Sequence, residues 1–164
     1  MKLDIGCGKS KHDGYYGVDI DPNSDADLIY DLNNTPWPFD DNQFSEVLAS
    51  QVIEHVKSPI NFINELCRIT KPHGKIVIIT PHYTSADSYG ALDHLWHLST
   101  KSFSSNDKFS SVVSVKLRSI WKPLQFLVNR FARVRGFWES YLSFICRATN
   151  ITAELYPKKS TVCK

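Results

Sequence analysis

Apolar residues recur along the chain in two rhythms. Ile60, Phe62, Ile63, Leu66 and Ile69 fall at helical spacing, and Pro72-His73-Gly74 then stops the helix. Lys75 to Thr80 is a continuous β-branched run, the pattern of a strand covered on both faces. Nearer the start, Leu3-Asp4-Ile5 and Tyr16-Gly17-Val18-Asp19-Ile20 read as two short buried strands. Asp27 to Leu32 reads as a third, followed by the turn-rich Asn33-Asn34-Thr35-Pro36-Trp37-Pro38-Phe39. Strand, helix and strand in succession predict an α/β fold with a parallel sheet. Ser111 to Leu117 and Asn150 to Tyr156 read as two more strands. Between them, Ile120 to Arg135 sets Trp121, Leu124, Leu127, Val128, Phe131 and Val134 on one helical face, with Lys122, Asn129, Arg130 and Arg133 elsewhere. The aromatic stretch Phe137 to Ile145 continues that helix after a break at Gly136.

The first strands end where chemistry begins. Gly6 and Gly8 lack a Cβ, so the backbone can turn sharply and approach a ligand closely. Asp19 ends the second strand, where a carboxylate can accept both hydroxyl protons of a ribose. Asp31 ends the third; it can accept a purine's exocyclic amine while the Leu32 amide donates to a ring nitrogen, although Asp at such a place is also a common turn or cap residue. The dinucleotide pattern fails on two counts. Lys11 stands at the last glycine of G-x-G-x-x-G, and 13 positions separate Gly6 from Asp19 where about 20 are expected.

These segments resemble the class I S-adenosylmethionine-dependent methyltransferases. Leu3-Asp4-Ile5-Gly6-Cys7-Gly8 is similar to their first motif, Gly17-Val18-Asp19-Ile20 to their ribose-binding acid, and Asp31-Leu32 to their adenine-contacting pair. Asp40 to Val56 resembles the family's fourth strand and the start of the next helix, which would begin at His55. Phe62 to Pro81 resembles its next helix, glycine turn and fifth strand. The resemblance runs to about residue 103. It implies a Rossmann-like, mostly parallel sheet closed by an antiparallel C-terminal edge pair, with the cofactor S-adenosylmethionine held by Asp4, Gly6, Cys7, Gly8, Asp19, Ile20, Asp31, Leu32, Ser50 and Gln51. Gly6, Asp19, Asp31, Ser50 and Thr80 would all lie at the carboxyl ends of strands, where open α/β sheets bind ligands. Only Lys9 to Tyr15 separates the glycine turn from the second strand, so the first helix is expected to be reduced or absent, leaving an open cofactor cleft.

Methyl transfer from a sulfonium depends mainly on alignment of donor and acceptor, with a general base needed when the acceptor holds its proton. His55, His82, His94 and His97 are the base candidates. His94 comes first, because Asp93-His94-Leu95-Trp96-His97 looks like a loop found over the acceptor pocket of similar enzymes, and His55 second. His94 and His97 could share a metal with Asp87 or Asp93, but no third ligand is set by spacing, and no metal is expected.

The expected domain organisation is a single methyltransferase-like domain over 1–164, with a cofactor-binding core at 1–103 and a basic, aromatic-rich part at 104–164. Residues 1–100 carry 7 Lys/Arg against 14 Asp/Glu, a net −7, whereas residues 101–164 carry 12 against 3, a net +9. Packing on the sheet is the first reading of that basic part, and peripheral contact of 120–147 with an anionic membrane or a lipid-like acceptor the second. Nucleic acid lacks a supporting motif. Cys7, Cys67, Cys146 and Cys163 are scattered, fitting small buried thiols with Cys163 in a disordered tail. With no signal peptide and no membrane-spanning run, residence in the cytoplasm is expected. The function expected is therefore methyl transfer to a small-molecule or lipid- or sugar-linked acceptor. A non-catalytic cofactor-binding protein, suggested by Ser10 and the missing helix, or a nicotinamide-dependent oxidoreductase stand as alternatives.

Overall fold

A computed structural model of the chain describes residues 1–105, 107–117 and 122–158. Seven strands form one sheet in the order β3-β2-β1-β4-β5-β7-β6. They are β1 (Lys2–Ile5), β2 (Tyr15–Asp19), β3 (Leu28–Ile29), β4 (Phe44–Ser50), β5 (Thr70–Pro81), β6 (Phe109–Leu117) and β7 (Ala148–Pro157). The first five pair in parallel, whereas β7 runs antiparallel to both β5 and β6, as expected. The strand expected at Asp27–Leu32 shrinks to two residues, because beyond the Tyr30 N–H bond to Asp19 O the chain leaves β2 for the turn that begins at Asp31.

No helix joins β1 to β2 among the described residues, and side chains hold the loop instead. Asp4 Oδ2 accepts both the backbone and ring nitrogens of His12 at 3.0 and 2.9 Å, and the Lys11 ammonium grips both oxygens of Asp27 at 2.9 and 2.8 Å. Between β3 and β4 an aromatic loop does a helix's work. Trp37 is buried, meets Phe62 edge-on at 5.4 Å and donates its indole N–H to Leu32 O. This loop is locked to α1 (Pro59–Ile69) by Arg68, whose guanidinium donates to Glu65, Asp41 and the carbonyls of Trp37 and Phe39. The turn-rich composition of the segment carries no sign of this packing.

One face of the sheet is the core: Leu3, Ile5, Val18, Val47, Ala49, Ile76, Ile78, Ile151, Ala153 and Leu155 are buried in register. On the other face Lys2, Glu46, Lys75 and Glu154 alternate in charge across β1, β4, β5 and β7, with ion pairs of 2.8 Å at Lys2–Glu46 and 2.7 Å at Lys75–Glu154. The expectation that β5 is covered on both faces therefore fails. Val77 and Ile79 are only half-buried, because the crossovers before β4 supply no helices to cover them.

Two helix boundaries also differ. The helix after β4 begins at Pro59, with Ser58 accepting the Asn61 N–H as its cap, so His55 lies in a preceding turn closed by His55 N–H to Val52 O. After α1 the chain resumes β-pairing at once through Thr70. His73 takes φ 62° in the turn beside Gly74, where the register shifts.

In the C-terminal part, α3 (Lys122–Arg130), a short α4 (Ala132–Phe137) and one π-helical turn (Trp138–Leu142) connect β6 to β7; a four-residue α2 (Asp87–Gly90) precedes them. The break falls at Phe131, which is extended at φ −122°, ψ 114°, and Gly136 sits within α4. Strand β6 is a sheet edge, and its unpaired backbone groups need partners. Asn129 bonds both the N–H and C=O of Val115, Gln125 accepts the Leu117 N–H, and the half-buried Arg135 donates to Val113 O. The helix face turned to the sheet thus mixes Leu124 and Val128 with Gln125 and Asn129, while Leu127 and Phe131 are exposed. The expected all-apolar face is rotated by the demand of that edge. Ile120, Trp121 and Cys163 lie outside the described residues.

Candidate active site

A cavity of about 350 Å³ opens at the carboxyl ends of β1, β2 and β4. Gly6 forms its floor at φ 68°, a backbone conformation that a side chain resists, and a Cβ there would stand 2.3 Å from Val52 Cγ2. Val52 and Gly6 both line the cavity, so contact with a ligand there is made by backbone and a β-branched methyl.

Asp19 and Ile20 form the next wall. The Asp19 carboxylate is aimed by two backbone donors, Gly8 N–H to Oδ2 at 2.8 Å and Asp21 N–H to Oδ1 at 2.9 Å. Each oxygen keeps a second lone pair for a vicinal diol. Ile20 is 64 % exposed at the cavity mouth, a flat apolar surface suited to a base. Tyr30, Asp31, Leu32 and Asn33 complete that end. Asp31 Oδ1 accepts the Asn33 backbone and amide nitrogens at 2.9 Å, so the turn reading of this residue holds and its second oxygen is the one left for a ligand. Asn33 Oδ1 in turn accepts Lys57 N–H, tying the turn to the segment before α1.

The expected cofactor residues thus divide. Gly6, Asp19, Ile20, Asp31, Leu32 and Gln51 reach the cavity wall. Asp4, Cys7, Gly8 and Ser50 do not: Asp4 is buried under His12, Cys7 is a buried thiol, and Gly8 works through its N–H on Asp19. Burial, then the nearby Asp4 and Asp19 carboxylates, push the Cys7 thiol up, which keeps it protonated and apolar. Gln51 takes φ 57°, a left-handed conformation unusual for a residue with a side chain and frequent at functional turns.

The far end of the cavity belongs to the turn after β4 and the loop after α2. His55, Val56 and Asp93 line it, with His55 Nδ1 at 3.2 Å from Asp93 Oδ2. His94 meets His55 edge-to-face with ring centroids 4.6 Å apart. Loop and turn are stitched together by Leu95 and Trp96 N–H to Glu54 O and by the Trp96 indole to Val56 O. The two leading histidines, 39 positions apart in the chain, therefore stand side by side. His82 and His97 stand elsewhere. His82 is fully buried, held by Thr84 and Glu139 and packed on Trp138, and His97 stacks on Tyr89. Sequence reasoning missed Glu54, which is buried behind His55 and accepts Thr80 Oγ1–H at 3.0 Å. A carboxylate beside a histidine at a strand's end was the available signal.

The family model described as "Methyltransferase domain" matches residues 3–78, which carry the glycine turn, both acids and the strand that leads to His55. Residues 3–78 are thus similar to a methyltransferase domain, and the chain has the fold of the class I, S-adenosylmethionine-dependent methyltransferases. Solved methyltransferases share its architecture over 96 % of its length. A SAM-dependent methyltransferase from Archaeoglobus fulgidus superposes with TM-score 0.63 at 18 % identity, covering 85 % of that chain. A Thermotoga maritima SAM-dependent methyltransferase, described as a possible histamine N-methyltransferase, gives 0.61 at 15 % over 81 % of its chain. The plantazolicin methyltransferase BpumL, in complex with a monoazolic desmethylPZN analog and SAH, gives 0.58 at 12 % over 76 %. No curated protein sequence matches the chain. Where the fold usually has its first helix, this chain has the Asp4–His12 and Lys11–Asp27 clasps.

Proposed function

We propose that this protein, working as one domain, transfers the methyl group of S-adenosylmethionine to a small-molecule or lipid- or sugar-linked acceptor that enters beside His55 and His94. The observation that carries this reading is one cavity with two chemically distinct ends. Gly6, Asp19, Ile20, Asp31 and Leu32 stand at one end, and His55 and Asp93 at the other. The first end suits an adenosine: diol to carboxylate, base to Ile20, exocyclic amine to Asp31. The second suits an acceptor that must lose a proton before a lone pair can take the methyl group, a task worth about 10²- to 10⁴-fold in rate. Asp93 orients the His55 ring, and His94 backs it.

Calorimetric titration with S-adenosylmethionine, its demethylated product and NAD tests the cofactor end. Both sulfur nucleosides should bind and NAD should not. Asp19→Ala should weaken binding at least tenfold; unchanged affinity removes the ribose assignment, and absence of all binding favours a non-catalytic scaffold.

A lipid-linked acceptor, and with it a cytoplasmic protein that docks on the membrane, draws support from the C-terminal surface. Phe126, Phe137, Tyr141 and Phe144 are 58–73 % exposed, and Arg130, Arg133 and Arg147 are exposed on the same segment. No helix among the described residues is long and apolar enough to cross a membrane.

A further inference from the structure

Glu54 is 1 % exposed and its two oxygens are treated unequally. Oε2 accepts the Thr80 hydroxyl, while Oε1, equally buried, has no hydrogen-bond partner. A buried acceptor without a donor is rare in a folded protein and calls for an explanation. One ligand atom each from Glu54, His55 and His94 lie within 4.8 Å of one another, and among the described residues no other such trio of His, Cys, Asp and Glu occurs.

The hydrogen bonds around the two imidazoles define which nitrogens keep a lone pair. His94 Nδ1 faces the carbonyl of Ser88 at 3.2 Å, and a carbonyl only accepts, so Nδ1 carries the proton and Nε2 the lone pair. His55 Nδ1 faces the Asp93 carboxylate at 3.2 Å, with the same consequence. A histidine whose Nδ1–H is taken by a carbonyl or carboxylate is the arrangement that orients metal-bound imidazoles. His94 and His97 with Asp87 or Asp93, the donors that spacing brings to mind, do not assemble: His97 Nδ1 is held by Ser88 Oγ at 3.0 Å and its ring lies on Tyr89.

We propose that Glu54, His55 and His94 hold one divalent first-row cation, Zn²⁺ or Mn²⁺, at the acceptor end of the cavity, with open coordination positions facing an acceptor oxygen. Two imidazoles and a carboxylate suit these borderline ions better than Mg²⁺, and three protein ligands leave room for a further ligand. Ligands about 2.1 Å from such an ion sit roughly 3 to 3.5 Å apart, which small rotations of the three side chains reach. Glu54 and Asp93 together supply two negative charges against the two positive ones. The backbone bonds from Leu95 and Trp96 to Glu54 O hold the loop that carries His94 against the turn that carries Glu54 and His55.

The role of the ion rests on the proposed methyl transfer; the site itself does not. An acceptor hydroxyl bound to the ion would be made more acidic by its charge and would release its proton to solvent. The freed oxygen pair then forms the new O–CH₃ bond as the S–CH₃ bond breaks and its electron pair stays on sulfur. His55 and His94 thus ease removal of the proton as ligands.

Protein stripped with chelator and titrated calorimetrically with MnCl₂, then separately with ZnCl₂, tests the site, with the affinity for S-adenosylhomocysteine measured on the same samples. One ion per chain is expected. Affinity should fall at least tenfold in Glu54→Gln and His94→Ala and hold in His97→Ala. Asp93→Asn, altering a side chain that is 76 % exposed, gives a variant with an intact core and should weaken the ion about tenfold. Equal ion affinity in wild type and all four variants, or no uptake by protein that still binds the nucleoside, overturns the cation site and leaves the methyltransferase reading standing. One ion per chain with no nucleoside binding supports the cation site and removes the methyltransferase reading.

Discussion

Replacing Gly6 by alanine tests the geometry on which the cofactor end depends. At φ 68° an alanine enters the left-handed region, which costs about 1–2 kcal/mol. Its Cβ would also stand 2.3 Å from Val52 Cγ2, far inside ordinary contact, and forcing an extra methyl into a packed site costs about 1–3 kcal/mol. Lower entropy of the unfolded chain returns about 0.4–1 kcal/mol. The net loss is therefore about 2–4 kcal/mol, which a domain stable by roughly 5–15 kcal/mol survives. Urea unfolding at neutral pH measures it directly, and nucleoside titration follows the cavity. Val52→Ala removes the methyl that Cβ meets, so in the double variant the steric part is relieved and the backbone part is not. A coupling of about 1–3 kcal/mol in the double-mutant cycle is expected, with partial recovery of S-adenosylhomocysteine binding. Additive losses, or a Gly6→Ala protein as stable as wild type, would refute the close approach of Val52 to the glycine turn.

The Arg68 clamp should be the main support of the aromatic loop. Arg68→Ala leaves the largely buried Glu65 facing only the Trp37 N–H, and a loss of about 2–4 kcal/mol in urea is expected, below the figure for a fully buried pair because Arg68 is partly exposed. Hydrogen bonds from Arg68, opposed by burial and aided by Trp37 N–H, hold the Glu65 carboxyl below its ordinary value. Its contribution is thus present above the unfolded value of about 4.3 and is lost as pH falls through the folded value. The stability gap between wild type and Glu65→Gln should shrink between neutral pH and pH 3.5, and a constant gap would count against the pairing. On the C-terminal surface, co-sedimentation with anionic liposomes should drop when Arg130, Arg133 and Arg147 are changed to Glu; wild type that never sediments argues against membrane contact. Arg135 is left out, since it serves the β6 edge.

The local signals that succeeded were those whose physics is local. Gly6 and Gly8 mark a turn because only they take its dihedral angles freely, and the periodicity from Ile60 to Ile69 marks α1 because one face must be buried. Alternation in Ser111 to Leu117 and Asn150 to Tyr156 located β6 and β7 to within two residues. The same reasoning failed where a neighbour decides. The face of α3 was misjudged because Gln125 and Asn129 are polar residues wanted by an open strand edge, which no helical wheel contains. Trp37 reads as a turn residue because its burial depends on Phe62 and Arg68, about thirty residues on.

Sequence alone therefore determined the order of the elements, the two acids and the glycine turn of a class I methyltransferase fold, since strand ends and turns are written in neighbouring residues. The tertiary structure decided what those ends enclose. It removed Asp4, Cys7, Gly8 and Ser50 from the cavity wall, drew His94 across 39 positions to His55, and placed Glu54 behind them with one oxygen unpartnered. Proximity of that kind depends on how a parallel sheet stacks its carboxyl ends, a property of the assembled strands and of no single stretch of chain.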